Sequence, residues 1–421
     1  MKNKKLLITI IVILGVVLIG TSCVLIINKP AKPTEPEPKK EEPKKVDNPN
    51  DGYNLRIIKQ LSIDENFLVS PYSIEIALNM LKEGAKDNTR EEIEKLVGTR
   101  DIKNIAVGDK IEVANGLFLK NKYKDLIEDK FKTTLVSKYS SEVIVDEFTS
   151  PKVINDWVKD KTKGMIDKIL NNMSPNFVLG IANAIAIDVE WEEPFTCNNT
   201  TGDEFTKIDN SKSKVEMMHA TYDGTGYKFF ETENAKGAIL PYKKVGNEEL
   251  EFVGIIPNKD VNTYLSNLTT TELDNIDKNS KETSDDVLLS ISLPRFKYSY
   301  EDEKFAEDLM NLGVKEVFNP DKANLRNIIP EGKMIENLYV NTAIHKTHID
   351  LNEKGTKAAA VTFFAVDKNT AVIGKQKQYI IRKFDKPFFY MIRDKETKDI
   401  IFAGAVYSPN EWTKSTCDES N

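Results

Sequence analysis

Residues 353–362 read Glu-Lys-Gly-Thr-Lys-Ala-Ala-Ala-Val-Thr, and no other stretch of the 421 residues restricts the fold so tightly. In a strand, side chains alternate between two faces. Thr356, Ala358, Ala360 and Thr362 then share one face, and every one is small; Lys357, Ala359, Val361 and Phe363 share the other. A ribbon with one such face can slide between two strands of a packed sheet. Leu or Phe there would overpack the core, at roughly 1–3 kcal/mol per site. The same ten residues also suit an ordinary surface loop or the start of a short Ala-rich helix, so the rest of the chain has to decide.

With 40% hydrophobic and 30% charged residues, the chain is long enough to bury a large core. Its formal net charge is −7, and no long basic block follows the first few residues, so nucleic acid is not an expected partner. Cys23, Cys197 and Cys417 make neither a disulfide framework nor a CxxC metal pair. A Cys197–Cys417 bridge is one option, and free thiols are the favoured one. His345 and His348 stand three apart beside a strand-like run, with no Glu or Cys at ligand spacing. No metal and no cofactor is therefore expected. The chain shows no GxSxG, HExxH or P-loop and no ordered Ser-His-Asp set, so no catalytic residue is assigned and an enzyme is not expected.

Lys2, Lys4 and Lys5 form a basic flank (residues 1–5) before an apolar run over 6–27. About 20 apolar residues suffice to span a bilayer, and the basic side stays cytoplasmic. The expectation is an uncleaved anchor that leaves the rest on the outer face of the cell membrane. A lipoprotein on Cys23 is the second option and cleavage with secretion the third. Residues 28–50, rich in Pro, Lys and Glu, read as an extended disordered linker. A folded domain is expected over 51–410 and a polar tail over 411–421.

Within the folded part, residues 53–61 have helical apolar spacing. Ser70-Pro71 reads as a cap and first turn, followed by an apolar stripe of Ile74, Ala77, Leu78 and Leu81. Only a short loop fits between Leu96 and Ile111. Residues 115–118 read as a central strand and 152–170 as a helix and turn. Residues 183–195 read as a strand ending in Trp191, whose indole can plug a gap. Residues 215–219, 238–242 and 252–257 read as further strands.

In this order the motifs resemble those of the serpins. The helix start Asn66-x-x-x-Ser70-Pro71-x-Ser73-Ile74-x-x-Ala77-Leu78, continued by Gly84-Ala85 and Thr89-x-x-Glu92-Ile93, is one. Asn183-Ala184 leading to Trp191-x-x-Pro194-Phe195 is a second. Leu293-Pro294-Arg295-Phe296, Phe384-Asp385-Lys386-Pro387-Phe388-Phe389 and residues 401–406 follow. Residues 353–360 resemble the hinge of the serpin reactive loop at Glu353, Gly355, Thr356, Ala358, Ala359 and Ala360, and Thr362 continues its small face. Lys357 departs from the pattern, where the family usually has Glu. The resemblance covers residues 52–410, and one helix usual in the family is missing from the loop before Ile111.

The resemblance implies an α+β fold with three β-sheets, about eight helices and an exposed reactive loop, in a prokaryotic-type, membrane-tethered member. The implied activity is inhibition of serine, or cysteine, endopeptidases as a suicide substrate. The target cuts the loop, and the loop then inserts as a new central strand. A strand of about 14 residues spans some 45 Å at about 3.3 Å per residue. At ~0.5–1.5 kcal/mol net per new hydrogen bond, its insertion releases on the order of 10 kcal/mol. The resemblance further implies a polar cluster of Ser70, Ser73, Asn183 and His345 under the opening sheet. It places Trp191, Arg295 and Glu353 where the hinge enters. The family's loop length points to Asn369–Thr370 as the reactive bond. Lys368, Lys375 and Lys377 are alternatives, because the loop before Phe384 is longer than usual. The expected partner is a trypsin-like or Lys/Asn-specific protease, and the expected state is a monomer. A non-inhibitory serpin acting as a surface binding protein is the alternative.

Overall fold

In the computed structural model, residues 48–49, 51–107, 110–333, 337–356 and 377–413 are described, and residues 47–421 form one unit. Ser70 caps a helix as its sequence predicts. Its hydroxyl accepts from the Ser73 N–H at 3.1 Å, and Pro71 takes the first position, where no N–H is needed. The described residues hold eight α-helices. They are α1 Tyr53–Leu61, α2 Pro71–Gly84, α3 Asp87–Val97, α4 Asp129–Tyr139, α5 Lys152–Lys161, α6 Val261–Asn267, α7 Thr270–Lys278 and α8 Phe305–Asn311. Gly98, at φ +76°, ends α3, and no helix forms between it and Val107.

The strands are β1 Phe67–Val69, β2 Ile111–Lys120, β3 Glu142–Asp146, β4 Leu179–Ile187, β5 Val189–Glu190, β6 Thr200–Thr206, β7 Lys212–Tyr222, β8 Lys228–Glu231 and β9 Ala235–Pro241. They continue as β10 Leu250–Pro257, β11 Lys281–Glu282, β12 Val287–Pro294, β13 Phe296–Asp302, β14 His345–Asn352, β15 Gly355–Thr356, β16 Gln378–Lys383, β17 Phe388–Asp394 and β18 Ile400–Val406. A seven-stranded sheet runs β1-β18-β17-β10-β9-β8-β11, and a four-stranded one runs β16-β12-β7-β6. The third sheet expected from the sequence is in two pieces, β13-β14-β15-β5 and β3-β2-β4. The physical reason is local: β4 and β5 are one strand path interrupted at Asp188, and below that point β4 and β14 are not paired with each other.

Strands β10, β17 and β18 are buried at every position, as strands covered on both faces must be. Aromatic rings join this sheet to the split one. Tyr298 of β13 meets Tyr390 of β17, hydroxyl to hydroxyl, at 2.7 Å, and its hydroxyl also donates to the Phe67 carbonyl at 2.9 Å. Helix α5 lies on the outer face of β2 and β4 over a separate apolar cluster, where Trp157 packs edge-on against Phe118 at 5.3 Å. The helix covers Lys152–Lys161 and the turn follows it, as the helix-and-turn reading of 152–170 has it. The Thr162 hydroxyl turns back to the Val158 carbonyl at 2.8 Å, and Gly164 at φ +76° redirects the chain.

Two further points refine the sequence reading. Cys197 is disulfide-bonded, against the free-thiol expectation, and its partner lies outside the described residues. Residues 411–413 stay on the fold. The Trp412 N–H donates to the Lys214 carbonyl at 2.8 Å, and the Lys214 ammonium lies over the indole at 5.4 Å. Among the described residues no helix is long and apolar enough to cross a membrane; the 6–27 segment is outside them.

Phe118→Ala is expected to destabilise the protein by ~3–5 kcal/mol and to loosen α5 from the sheet. Hydrogen exchange across Lys152–Lys161 checks this: faster exchange there, ahead of β17 and β18, is the expected result.

Candidate functional site

The hinge is built where β14 ends. The chain reverses over Glu353 and Lys354, and β15 then runs between β14 and β5, antiparallel to both. Leu351 faces Thr356, and on the other side Thr356 faces Val189 and Gly355 faces Glu190. Gly355 sits at φ +150°, and a Cβ there would stand 2.1 Å from the Val189 carbonyl oxygen, so only glycine fits between the two backbones. Thr356 is buried, and its hydroxyl meets that of Tyr242 at 2.8 Å. Burial raises the Tyr242 phenol well above its ordinary pKa and keeps it neutral.

Trp191 holds the reversal in place. Its indole N–H donates to the Asn352 carbonyl at 3.0 Å and its backbone N–H to the Lys354 carbonyl at 2.9 Å. The Phe195 N–H donates to the Glu353 carbonyl at 2.9 Å. The indole, 1% exposed, stacks on Tyr242 at 4.5 Å. Arg295 and Glu353 form the expected ion pair at 2.6 Å, and the Thr200 hydroxyl also donates to the Glu353 carboxylate. Burial opposes the Arg295 charge, but the carboxylates of Glu353 and Glu216 outweigh it and raise the guanidinium pKa. The far end of the chain braces this pair: the Asn410 N–H donates to the Arg295 carbonyl, and the Thr413 hydroxyl donates to Glu216, each at 3.3 Å.

A second polar group lies at the start of α2. The Ser70 N–H donates to His345 Nε2 at 3.1 Å, and the Ser70 hydroxyl donates to the Ile401 carbonyl at 2.7 Å. The Ser73 hydroxyl donates to Asn183 Oδ1. Asn183 Nδ2 in turn donates to Asn115 Oδ1 at 2.9 Å. The four residues expected here thus come together, in two pairs bridged by the Ser70–Ser73 cap. No hydrogen bond joins His345 to Asn183 among the described residues. The sequence reading missed Asn115, Thr200 and Tyr242. Asn115 carried a signal, being a polar residue set among Val113, Ala114, Leu117 and Phe118 of β2, and the structure places it directly opposite Asn183.

Strands β4 and β14, not paired with each other among the described residues, line a common pocket, with Ile185 and Ile187 on one side, His348, Ile349 and Asp350 on the other and Thr356 at one end. His345 and His348 fall on opposite faces of β14, which removes them as a shared metal pair. Ala358, Ala359, Ala360, Thr362, Lys368, Asn369, Thr370 and Lys375 lie outside the described residues, and Lys377 is exposed.

His345, 6% exposed, has its pKa pushed down to about 4 by burial. The neutral ring is also the one that can accept from Ser70. The unfolded state, with a histidine pKa near 6.5, therefore binds the proton first as pH falls. This contribution to stability is complete above about pH 6.5 and lost progressively toward pH 4, to a total of about 3 kcal/mol. Urea denaturation at steps from pH 7.5 to 4 checks this, with His345→Gln expected to flatten the profile in that window.

Comparison with known proteins agrees with this architecture. The model of the family described as "Serpin (serine protease inhibitor)" matches residues 50–409. A serpin-like protein of Thermococcus kodakarensis is 28% identical over 399 residues, covering 89% of this chain and 88% of its own. The crystal structure of the thermophilic serpin tengpin in its native state superposes with a TM-score of 0.71 at 33% identity, covering 85% of this chain and 92% of tengpin. Tengpin in its latent state gives 0.68 at 32% identity, covering 88% and 100%. This chain belongs to the serpin family.

Proposed function

We propose that the chain is a single-use protease trap on the outer face of a cell membrane, held there by residues 6–27. A target serine, or cysteine, endopeptidase cuts the loop between β15 and β16 as a substrate. The amino-terminal part of the cut loop then follows Gly355 and Thr356 into the pocket between β4 and β14, carrying the acylated protease with it. One observation carries this reading. The first two residues of the loop already stand as a strand between β14 and β5, antiparallel to both, and the edges beyond them are unpaired with each other. Insertion completes ladders that β15 has begun, and each new strand bond lowers the free energy. Thr356 supports the small-face requirement: it is buried, with its hydroxyl on that of Tyr242. The Cys197 disulfide fits an oxidising, extracellular setting.

The roles follow from position. Glu353 and Arg295 hold the reversal point, Trp191 covers it, and Ser70, Ser73, Asn183 and His345 couple α2 to both edges. Cys23 lipidation or secretion would place the same domain in the same compartment. The non-inhibitory alternative makes the opposite forecast in the experiment below.

The full-length protein is expected to form a denaturant-resistant complex with at least one protease of a trypsin-like and Lys/Asn-specific panel. Cutting the loop is expected to raise the melting temperature by about 20 °C, taking ~10 kcal/mol at ~2 °C per kcal/mol. Thr362→Arg, on the same small face beyond β15, is expected to fold normally and to be cut without trapping; a resistant complex from that variant contradicts the reading. Mass spectrometry of the released fragment is expected to place the bond at Asn369–Thr370, or at Lys368, Lys375 or Lys377. Cleavage outside 366–377 discards that placement.

A further inference from the structure

Residues 98–107 stand where one helix usual in the family is missing, and they run without a helix from Gly98 to Val107. Two cations of this stretch turn inward. The Arg100 guanidinium takes both oxygens of the Glu75 carboxylate, with Nε to Oε1 at 2.9 Å, and reaches Asp399 with Nη1 at 2.5 Å. The Glu75 and Asp399 side chains are 1% and 9% exposed, whereas that of Arg100 is 43% exposed. One guanidinium laid in from the surface thus serves two buried carboxylates on two different elements, and without it both are left uncompensated. Lys103 repeats the arrangement. Its ammonium meets Glu248 at 2.7 Å and Asp394 at 3.0 Å, and its carbonyl accepts from the Tyr72 hydroxyl of α2 at 2.7 Å. Glu75 falls at a position that the serpin helix-start pattern leaves open.

The two carboxylates flank the polar cluster. Glu75 is two residues past Ser73 on α2, and Asp399 is two before Ile401, whose carbonyl accepts from the Ser70 hydroxyl. Strand β14 is fastened to the same sheet as β18: the Thr347 hydroxyl donates to the Leu68 carbonyl of β1 at 2.7 Å, and β1 pairs with β18. On the other side of the pocket, the hydrogen bond from Ser73 to Asn183 joins α2 to β4. When β4 and β14 part, two courses are open to α2. It follows β4 and gives up Ser70–Ile401, or it stays with β18 and gives up Ser73–Asn183.

We propose that Arg100 is a positioning residue for the trap: by tying α2 to β18, it makes the Ser73–Asn183 bond the one that breaks as the cut loop enters. The inference rests on the insertion reading above. A bidentate guanidinium–carboxylate pair is stronger than the hydroxyl–amide bond it competes with, so the weaker contact yields. Arg100 keeps its partners in cut and uncut protein alike; what it sets is the path between the two forms.

The test is a cycle of Ser73→Ala, Arg100→Met and the double variant in the full-length protein. Insertion is timed by stopped-flow tryptophan fluorescence after mixing with a protease of the panel that cuts the loop, at a concentration where cutting does not limit the rate. Ser73→Ala alone is expected to speed insertion about fivefold, the rate effect of one ordinary hydrogen bond. With Arg100→Met in place, the same change is expected to speed it by less than about twofold, because α2 then travels with β4 and the bond is not broken. A role confined to holding the fold would lower the melting temperatures of Arg100→Met and leave the Ser73→Ala acceleration untouched. An acceleration that is as large in the Arg100→Met background, or absent from the wild type, overturns the proposal while the trap stands. Should Arg100→Met not fold, Arg100→Met with Glu75→Gln and Asp399→Asn removes the tie without leaving buried charge, and the same comparison applies. A wild type whose melting temperature does not rise on cleavage overturns the insertion reading and this proposal with it.

Discussion

The structure depends on a sheet that is left incomplete. Among the described residues, strands β4 and β14 are not paired with each other, and backbone groups on such edges have unspent hydrogen-bonding capacity. At one end the gap is spanned by two residues, Gly355 and Thr356. Several contacts near that end hold the chain there. Arg295 fixes Glu353 by charge, Trp191 fixes the turn through main-chain carbonyls, and Gly355 lets two backbones approach where any Cβ would collide.

The polar cluster beneath is the second half of the same device. Its members are on different elements: His345 on β14, Asn183 on β4, and Ser70 and Ser73 at the start of α2. Moving either edge therefore disturbs bonds to one helix terminus. Hydroxyl, amide and neutral imidazole exchange partners without creating a buried charge, and burial keeps the His345 ring in that neutral form.

Much of this was legible in the residues. The Ser70–Pro71 cap and the strand ending in Trp191 follow from local chemistry, because capping and aromatic plugging act through few neighbours, whereas the Arg295–Glu353 pair came only with the serpin resemblance. What was not legible depends on register between distant segments. Nothing in residues 183–195 shows that the strand path breaks at Asp188, since a one-residue interruption leaves the apolar pattern unchanged. Tyr242 and Thr200 reach the hinge only because their strands pass beside it. Cys197 looked like a free thiol because three cysteines scattered over 421 residues have no spacing signal.

Cys197 has a bearing on mechanics as well as on compartment. It lies between Phe195, whose N–H holds the Glu353 carbonyl, and Thr200, whose hydroxyl holds the Glu353 carboxylate. A covalent tie in the middle of so short a segment takes up its slack from both sides. The oxidising strength of the surroundings thus bears on how stiffly the hinge glutamate is gripped, and a reducing milieu would leave the same contacts on a slacker leash.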